Sequence, residues 1–340
     1  MPEIVTVGEA LIDLTQTAED SAHIRHYAAF PGGAPANVAV AAARLGAKTA
    51  FIGKVGQDAF GASIRQTLSS NHVDVSGLYG TDRFLTTLAV VSVDAAGERS
   101  FAFYRTSGAD TQLTREDAVQ ALETYEERPV FLHFGSVSLT AEPARSATLG
   151  VAQRAREMGI LLSYDPNYRP SLWPDEETAL EQMKKPLSLC HVLKLAEEEL
   201  ELLTGLSDLE AGTLALYETY HIPLIVVTMG AGGSFYRLGG RTGRAAAQTV
   251  SVADTNGAGD TFLGALLSRL VLNGGLDGLT PETLKAGLAF ANRAAALTCT
   301  RPGAIPAMPL LSEMSSGKEG MIPRKKTNYL NRGFFPAATS

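Results

Sequence analysis

The segment Asp254–Asp260, which reads DTNGAGD, joins two aspartates to three small residues directly before a helical pattern. Apolar residues recur on one face over Thr261–Val271, which predicts a helix there. Free N–H groups and the positive end of the helix dipole stabilise an anion at a helix start, and small side chains let a phosphate approach the backbone. The donors of this predicted anion hole are Gly257, Ala258 and Gly259. Asp260, which the same dipole would keep ionised, is a candidate general base.

A second glycine-rich segment, Pro31–Asn37, reads PGGAPAN and also precedes a helical pattern. Gly32 and Gly33 permit the backbone to approach a ligand closely. Asn37 offers both an amide donor and a carbonyl acceptor in the first turn of the helix. Asp13, just after the first strand, adds a carboxylate that accepts hydrogen bonds from hydroxyl groups. Together these residue types suit the recognition of a polyhydroxyl compound.

Strands that alternate with helices must position these segments. After residue 130 the pattern predicts strand, helix and strand in turn at Val130–Phe134, Pro143–Met158, Ile160–Tyr164, Val192–Leu195, Glu197–Leu203 and Leu224–Thr228. Towards the amino terminus, Ile4–Gly8 and Ala50–Gly53 are predicted strands and Ala36–Leu45 is a predicted helix. A β-like run, Gln248–Val252, leads into DTNGAGD. This order predicts an α/β protein with a mainly parallel central sheet and helices on both faces.

Two β-rich regions interrupt that alternation. Thr86–Val93 and Ser100–Tyr104 are joined by a turn signal at Asp94–Gly97, which predicts a hairpin. With the irregular β-like region Leu11–Phe30, this hairpin predicts a small β-sheet that projects from the core as a lid. We therefore expect one core over residues 1–312, with lid segments at about 12–31 and 85–105. Residues 313–340 are expected to be a carboxyl-terminal tail of no assigned role.

Composition narrows the class of protein further. The 340 residues carry a net charge of −7 and are 45% hydrophobic, which is typical of a globular chain and argues against a basic nucleic-acid-binding surface. Neither a Walker A loop nor G-x-G-x-x-G occurs, which argues against a P-loop enzyme and a Rossmann dehydrogenase. We find no signal-peptide pattern and no apolar run of about 18 residues. Cys190 and Cys299 stand far apart, so no disulfide is expected. These features predict a cytoplasmic protein without a nucleic-acid or membrane partner.

The two glycine-rich segments resemble the signatures of the ribokinase-like sugar kinases, the phosphofructokinase-B group. The amino-terminal signature matches over Gly32–Gly61 and the carboxyl-terminal one over Asp254–Asp260. Within this group the chain is most similar to the fructokinases, with further matches at Gly8–Asp13, Phe103–Arg105, Gly108–Asp110, His133–Ser136, Ser163–Arg169 and Leu172–Pro174. The similarity runs roughly from Ile4 to Pro309 and implies a ribokinase-like fold.

The resemblance implies phosphorylation of the primary 6-hydroxyl of D-fructose by ATP, which gives fructose 6-phosphate and ADP, with Asp260 as the base. It places sugar contacts at Asp13, Gly32, Gly33, Asn37, Arg105, Asn167 and Arg169. It places nucleotide contacts at Lys194, Thr228, Gly230, Gly233 and Asn292.

The resemblance also implies ions and a partner. Glu199 matches the last residue of the family's N-x-x-E motif and would act on Mg²⁺ through water, although Ala196 replaces the asparagine. Backbone groups at Asp254, Asn256 and Gly303 are candidates to hold K⁺. Because lid hairpins in this family often pair across a dimer, a homodimer through the lid is expected.

Two other functions stay open at the level of sequence. A 2-keto-3-deoxygluconate kinase would share the fold, and Arg105 and Arg169 could meet the carboxylate of that substrate. A non-catalytic sugar or nucleotide sensor could also keep the fold. The intact Gly-Ala-Gly segment and Asp260 argue against a sensor, because binding alone needs no base.

Overall fold

The computed structural model describes residues 1–93 and 99–314. Its strands are β1 (Ile4–Val7), β2 (Leu11–Glu19), β3 (Arg25–Gly32), β4 (Thr49–Gly56), β5 (Val73–Asp74), β6 (Leu78–Thr81), β7 (Leu88–Val93), β8 (Arg99–Tyr104), β9 (Phe131–Gly135), β10 (Leu161–Asp165), β11 (Val192–Ala196), β12 (Leu224–Thr228), β13 (Ser234–Leu238) and β14 (Arg241–Ala245). Its helices are α1 (Ala34–Arg44), α2 (Ala59–Ser70), α3 (Arg115–Glu123), α4 (Ala144–Glu157), α5 (Glu176–Lys184), α6 (Glu197–Thr204), α7 (Leu209–Tyr220), α8 (Ala258–Leu272), α9 (Pro281–Cys299) and α10 (Leu311–Met314).

Within the described residues, the central sheet has the order β14-β13-β12-β11-β10-β9-β1-β4-β5, and β6 also pairs with β4. The strands from β12 to β5 pair in parallel, whereas β13 and β14 form an antiparallel edge. Side chains alternate between the two faces, because Val5 and Leu132 pack in one apolar cluster while Ile4 and Phe131 pack in another. The first cluster includes residues of α3 to α7, and the second includes residues of α1, α8 and α9. The prediction of a mainly parallel sheet with helices on both faces is confirmed.

The lid sheet consists of β3, β2, β7 and β8 in that order. Strands β2 and β3 are antiparallel, β2 and β7 are parallel, and β7 and β8 form the predicted hairpin. The small separate sheet expected from the sequence is therefore present. The two predicted strands of the hairpin are present as β7 and β8. The predicted turn at Asp94–Gly97 lies outside the described residues.

One predicted strand is wrong. The run Gln248–Val252 has no strand structure, because β14 ends at Ala245 and the chain then continues irregularly towards α8. Val252 is 61% exposed. β-branched residues stabilise a strand only where a neighbouring strand and a packed face are available, and this run has neither. The DTNGAGD segment therefore lies at a loop–helix junction.

The folded core also extends two residues beyond its predicted carboxyl-terminal boundary. The predicted boundary of the core is residue 312, yet α10 continues to Met314, whose buried side chain packs with residues of α8 and α9. Residues 315–340 of the predicted tail lie outside the described residues. In the described part of the chain, none of the helices has the length and apolar character needed to cross a membrane.

Candidate active site

A cavity of about 500 Å³ lies where the lid sheet faces the carboxyl ends of the central strands. This is the edge at which open α/β sheets usually bind ligands. The lining residues are Thr15, Val91, Phe103, Asn167, Arg169, Pro170, Ser171, Lys194, Asp254, Thr255, Asn256, Gly257, Gly259 and Asp260. The structure thus brings both ends of the DTNGAGD segment together with Lys194 from β11 and with Asn167 and Arg169, which follow β10.

The start of α8 has the geometry expected of an anion-binding helix terminus. Gly257 caps the helix with φ of 73°, and a Cβ added there would lie 2.7 Å from the Cβ of Ala304. A Cβ on Gly259 would lie 3.2 Å from Lys194 Nζ. The N–H of Ala258 donates to the Thr255 carbonyl at 3.3 Å, a long bond for which an anion can compete. Small residues are therefore required here by backbone conformation and by close approach.

Asp260 is a buried carboxylate in the first turn of α8. Asn37 Nδ2 donates to its Oδ2 at 2.8 Å. Burial raises the pKa of Asp260 to about 6; the bond from Asn37 lowers it, Asp165 raises it, and Lys194 and Arg169 lower it. The sequence indicated only that the helix dipole favours the ionised form of Asp260. It could not reveal that burial of the carboxylate opposes this ionisation. A carboxylate with a pKa of about 6 is mostly ionised at neutral pH and is well matched to accept a proton.

Lys194 supplies a buried positive charge beside the helix start. Its Nζ lies 2.9 Å from Asp165 Oδ2, and both side chains are almost completely buried. Burial opposes the charge on Lys194, but Asp165 and Glu199 outweigh it and raise the pKa of the lysine. Lys194 therefore stays protonated next to the site where Gly259 leaves room for a ligand.

Glu199 holds the connection between β11 and α6. Its Oε1 accepts the N–H of Tyr168 at 2.7 Å, and its Oε2 accepts the N–H of Ala196 at 2.8 Å. Burial raises the pKa of Glu199. The remaining lone pairs of both oxygens are available to water. The role of Glu199 at magnesium, predicted to act through water, remains chemically open although Ala196 contributes no side-chain ligand.

Two of the residues predicted to bind the sugar, Asp13 and Gly32, lie on strands of the lid sheet. Asp13 lies on β2 opposite Phe30 of β3. Burial and the negative charge of Asp260 raise the pKa of Asp13 to about 7, while Arg169 lowers it. A Cβ on Gly32 would lie 2.6 Å from Asp13 Oδ2, so a larger residue there would displace this carboxylate. Gly33 has φ of 105°, which favours glycine.

Arg105, a predicted sugar contact, is bonded to the core. Its guanidinium donates to Asp110 Oδ2 at 2.7 Å, to the Val137 carbonyl at 3.0 Å and to Thr140 Oγ1. The side chain is buried and, in the described part of the chain, is not among the residues that line the cavity. These bonds anchor the end of β8 to the core. The sugar contact expected of Arg105 stays a prediction.

Lys194 lines the cavity, whereas the other four predicted nucleotide residues lie at the end of β12, in the loop after it and on α9. Thr228 ends β12, and Gly230 begins a 3₁₀ turn. Gly233 has φ of 89°, and a Cβ there would lie 2.2 Å from the Ala245 carbonyl oxygen. Asn292 of α9 donates from Nδ2 to the same carbonyl at 3.0 Å. Gly233 and Asn292 thus meet at the Ala245 backbone, and none of these four residues is among those that line the cavity in residues 1–93 and 99–314.

The three residues proposed for K⁺ are also brought together. Asp254 Oδ1 accepts the N–H of Asn256, and its Oδ2 accepts the N–H of Gly303, both at 2.9 Å. The aspartate thus joins two loops that are distant in the sequence.

Sequence reasoning gave no site role to Asp165 or to six of the residues that line the cavity, which are Thr15, Val91, Phe103, Pro170, Ser171 and Thr255. Asp165, at the end of β10, pairs with Lys194 and influences Asp260. Its position directly after a predicted strand was an available signal. Thr15 and Phe103 contribute the lid side of the cavity, and Thr255 contributes the loop before α8. Phe103 lies in a stretch that matches the fructokinases, but Thr15 carried no signal, because the face of a strand that meets a ligand depends on partners that sequence alone does not identify.

Comparison with known proteins agrees with this geometry. A model of the pfkB family of carbohydrate kinases matches residues 1–311. Fructokinase-1 of Oryza sativa subsp. japonica is 40% identical over 309 residues, which cover 90% of this chain and 94% of that protein. A structure of fructokinase from Xylella fastidiosa with bound ATP has a TM-score of 0.83 and 33% identity, covering 93% of this chain and 98% of that one. A double mutant of fructokinase from Vibrio cholerae O395, with fructose, ADP and potassium ion bound, has a TM-score of 0.82 and 35% identity, covering 92% and 97%.

The match over residues 1–311 and the cavity between the lid sheet and the start of α8 lead to one assignment. The chain belongs to the pfkB family of carbohydrate kinases, with a ribokinase-like fold, and is an ATP-dependent sugar kinase.

Proposed function

We propose that this kinase transfers the γ-phosphoryl group of ATP to the 6-hydroxyl of D-fructose and releases fructose 6-phosphate and ADP. The observation that carries the proposal is the arrangement at α8, where Asp260, Lys194 and the Gly257–Gly259 backbone line one cavity or border it. Phosphoryl transfer requires a proton acceptor and stabilisation of the charge on the phosphoryl oxygens, and this arrangement supplies both. The similarity to fructokinases supports fructose as the sugar.

In this mechanism Asp260 accepts the proton of the attacking 6-hydroxyl as the new oxygen–phosphorus bond forms. The bond between the γ-phosphorus and the bridging oxygen of ATP breaks, and ADP leaves with that electron pair. The N–H groups of Gly257, Ala258 and Gly259 stabilise the phosphoryl oxygens. Lys194 adds a positive charge beside them. Asp13 and Asn37 orient the sugar hydroxyls.

The described residues fit a magnesium ion that arrives on the nucleotide. They contain no cluster of three or more carboxylate, histidine or cysteine groups able to hold a metal. Mg²⁺ in such enzymes is held by one or two carboxylates and by substrate phosphates, and it neutralises phosphate charge. Glu199 would meet the water shell of the ion through its remaining lone pairs. Asp254, Asn256 and Gly303 would form a K⁺ site from backbone carbonyls, in a pair of loops already joined by the Asp254 side chain.

The runner-up substrate, 2-keto-3-deoxygluconate, needs a cation for its carboxylate. Arg105 is engaged by Asp110, which leaves Arg169 as the arginine that lines the cavity in the described structure. Among the described residues, one of the two candidate arginines therefore lines the cavity, and the smaller positive charge there favours the uncharged sugar.

An ADP-release assay with ATP tests the substrate. We expect kcat/KM for D-fructose to exceed that for 2-keto-3-deoxygluconate by at least about tenfold, since one missing charged contact is worth roughly that much. Reactions without sugar serve as the control for background ATP hydrolysis. A preference of about tenfold or more for the keto acid would overturn the choice of fructose.

A homodimer through the lid sheet is the second part of the proposal. Strands β3 and β8 form the two edges of this sheet in the described residues, and open edges are able to pair with another chain. Tyr27 on β3 and Tyr104 on β8 are exposed. In sedimentation velocity we expect a species of twice the 35.9 kDa chain mass. A species of 35.9 kDa alone, at the protein concentration of the assay, would exclude it.

A further inference from the structure

We propose that Asn37 is a positioning residue for phosphoryl transfer, whose amide holds Asp260 Oδ2 and thereby leaves Oδ1 to accept the proton of the sugar hydroxyl. This inference rests on the proposed function, because it takes Asp260 as the general base. Asn37 is expected to contact the sugar, and the inference gives it a second role, which is to hold the side chain of Asp260.

The contact between the two residues is direct and buried. Asn37 Nδ2 lies 2.8 Å from Asp260 Oδ2, and the two residues are 4% and 9% exposed. A hydrogen bond to a carboxylate in a buried site is strong, because water does not compete for it. Among the described residues, Asn37 Oδ1 has no hydrogen-bond partner. The reverse orientation of the amide would bring that oxygen against the carboxylate, so electrostatics select the orientation in which Nδ2 donates.

The backbone at the start of α1 fixes the position of Asn37. Glu9 Oε1 accepts the N–H of Ala34 at 3.1 Å, which satisfies one of the free donors at this helix start. The N–H of Asn37 donates to the Gly33 carbonyl at 2.8 Å in the first turn. The side chain of Asn37 therefore projects from a helix terminus that is already ordered.

The distance between α1 and α8 is set by a glycine. A Cβ on Gly264 of α8 would lie 2.7 Å from Ala41 Cβ and 2.8 Å from the Val38 carbonyl oxygen of α1. The two helices therefore approach as closely as their backbones allow. Asp260 lies one turn before Gly264 and Asn37 lies one turn before Ala41, so the same close packing brings the two side chains together.

The charged groups that face Asp260 come from several elements. These groups are Asp165 at the end of β10, Lys194 on β11, Arg169 in the loop after β10, and Asp13 on the lid sheet. Against this background the bond from Asn37 lowers the pKa of Asp260, which burial raises to about 6. The base acts only when it is ionised, so kcat should fall as the pH drops through this pKa. Without the Asn37 donor the pKa rises, and the fall in kcat should begin at a higher pH.

The test compares Asn37→Asp and Asn37→Leu with the unmodified protein, with kcat measured for fructose and ATP between about pH 5 and pH 9. Asn37→Asp keeps the oxygen expected to face the sugar, loses the amide donor and adds a carboxylate beside Asp260, which also raises the pKa of the base. Asn37→Leu loses both polar groups without adding a charge, so its pH profile isolates the loss of the donor. We expect both variants to lose about tenfold or more of kcat at pH 7, with the acidic fall in kcat shifted upward by at least about half a pH unit. In Asn37→Asp the rise in KM for fructose should be the smaller of the two.

A matched control is Asn273→Asp, at the opposite end of α8 and roughly 20 Å away along the helix. It should leave the pH profile unchanged. If both Asn37 variants fold, bind ATP and raise KM while the acidic fall in kcat stays in place, Asn37 only binds sugar and the inference is wrong. If neither folds, Asn37→Ser, which is smaller than asparagine and cannot reach Asp260 with an amide, tests the same link. It should shift the profile upward, and an unchanged profile would reject the inference. The proposed base itself is tested separately by Asp260→Asn.

Discussion

Replacing Asp260 with asparagine is expected to lower kcat by about 10²- to 10⁴-fold while fructose and ATP still bind. The substitution conserves shape, and an asparagine carbonyl can still accept the bond that Asn37 donates to this position at 2.8 Å. What is lost is the group that accepts the proton of the 6-hydroxyl. The measurement is kcat from ADP release, together with calorimetric titration of both ligands, so that chemistry and binding are separated.

Asp208→Asn is a matched control for this experiment. Asp208 caps α7 by accepting the N–H of Ala211, and asparagine caps helices equally well. This variant should keep the full kcat. If Asp260→Asn retained more than about a tenth of the unmodified activity, Asp260 would not be the base. If the unmodified protein bound both ligands without turnover, the chain would be a sensor and the proposed function would fail.

Replacing Lys194 with methionine is expected to produce the largest loss of stability. The ion pair between Lys194 and Asp165 is 2.9 Å long, and the side chains are 8% and 4% exposed. Removing one partner of a buried pair leaves the other charge without compensation, which costs about 3–5 kcal/mol of the free energy of unfolding. Urea unfolding should report this loss directly. Turnover should fall as well, because the phosphoryl group loses a neighbouring positive charge.

The double variant Lys194→Met, Asp165→Asn separates the two effects. An asparagine at 165 can still accept the N–H of Asn167, which Asp165 Oδ1 accepts at 3.1 Å, yet it carries no charge. We expect the double variant to recover most of the lost stability but little of the activity. A double variant as unstable as the single one would mean that the buried charge is not the cause. Recovery of turnover would show that Lys194 has no role at the phosphates.

The central sheet could be predicted from sequence because the residue types of its strands indicate that both faces are buried. Parallel strands covered on both faces are continuous apolar runs, and β12 (Leu224–Thr228) was predicted with the bounds that the structure has. Gln248–Val252 failed for the complementary reason. Its residues favour a strand locally, but the described part of the chain places no strand beside it, and a β-ladder needs a second strand to exchange backbone hydrogen bonds.

The sequence by itself determined the presence of an anion-binding helix start followed by a candidate base, because these features depend on residue types at short spacing. Gly257, Gly259 and Asp260 lie within one turn of a helix start, so their proximity follows from the chain itself. Only the tertiary structure decided which partners these groups have and how their pKa values are shifted. Asn37 and Asp260 are 223 residues apart in the chain, and the partners of Arg105 and Lys194 come from other elements. Desolvation and pairing across such separations depend on how helices and strands pack, and no local pattern encodes them.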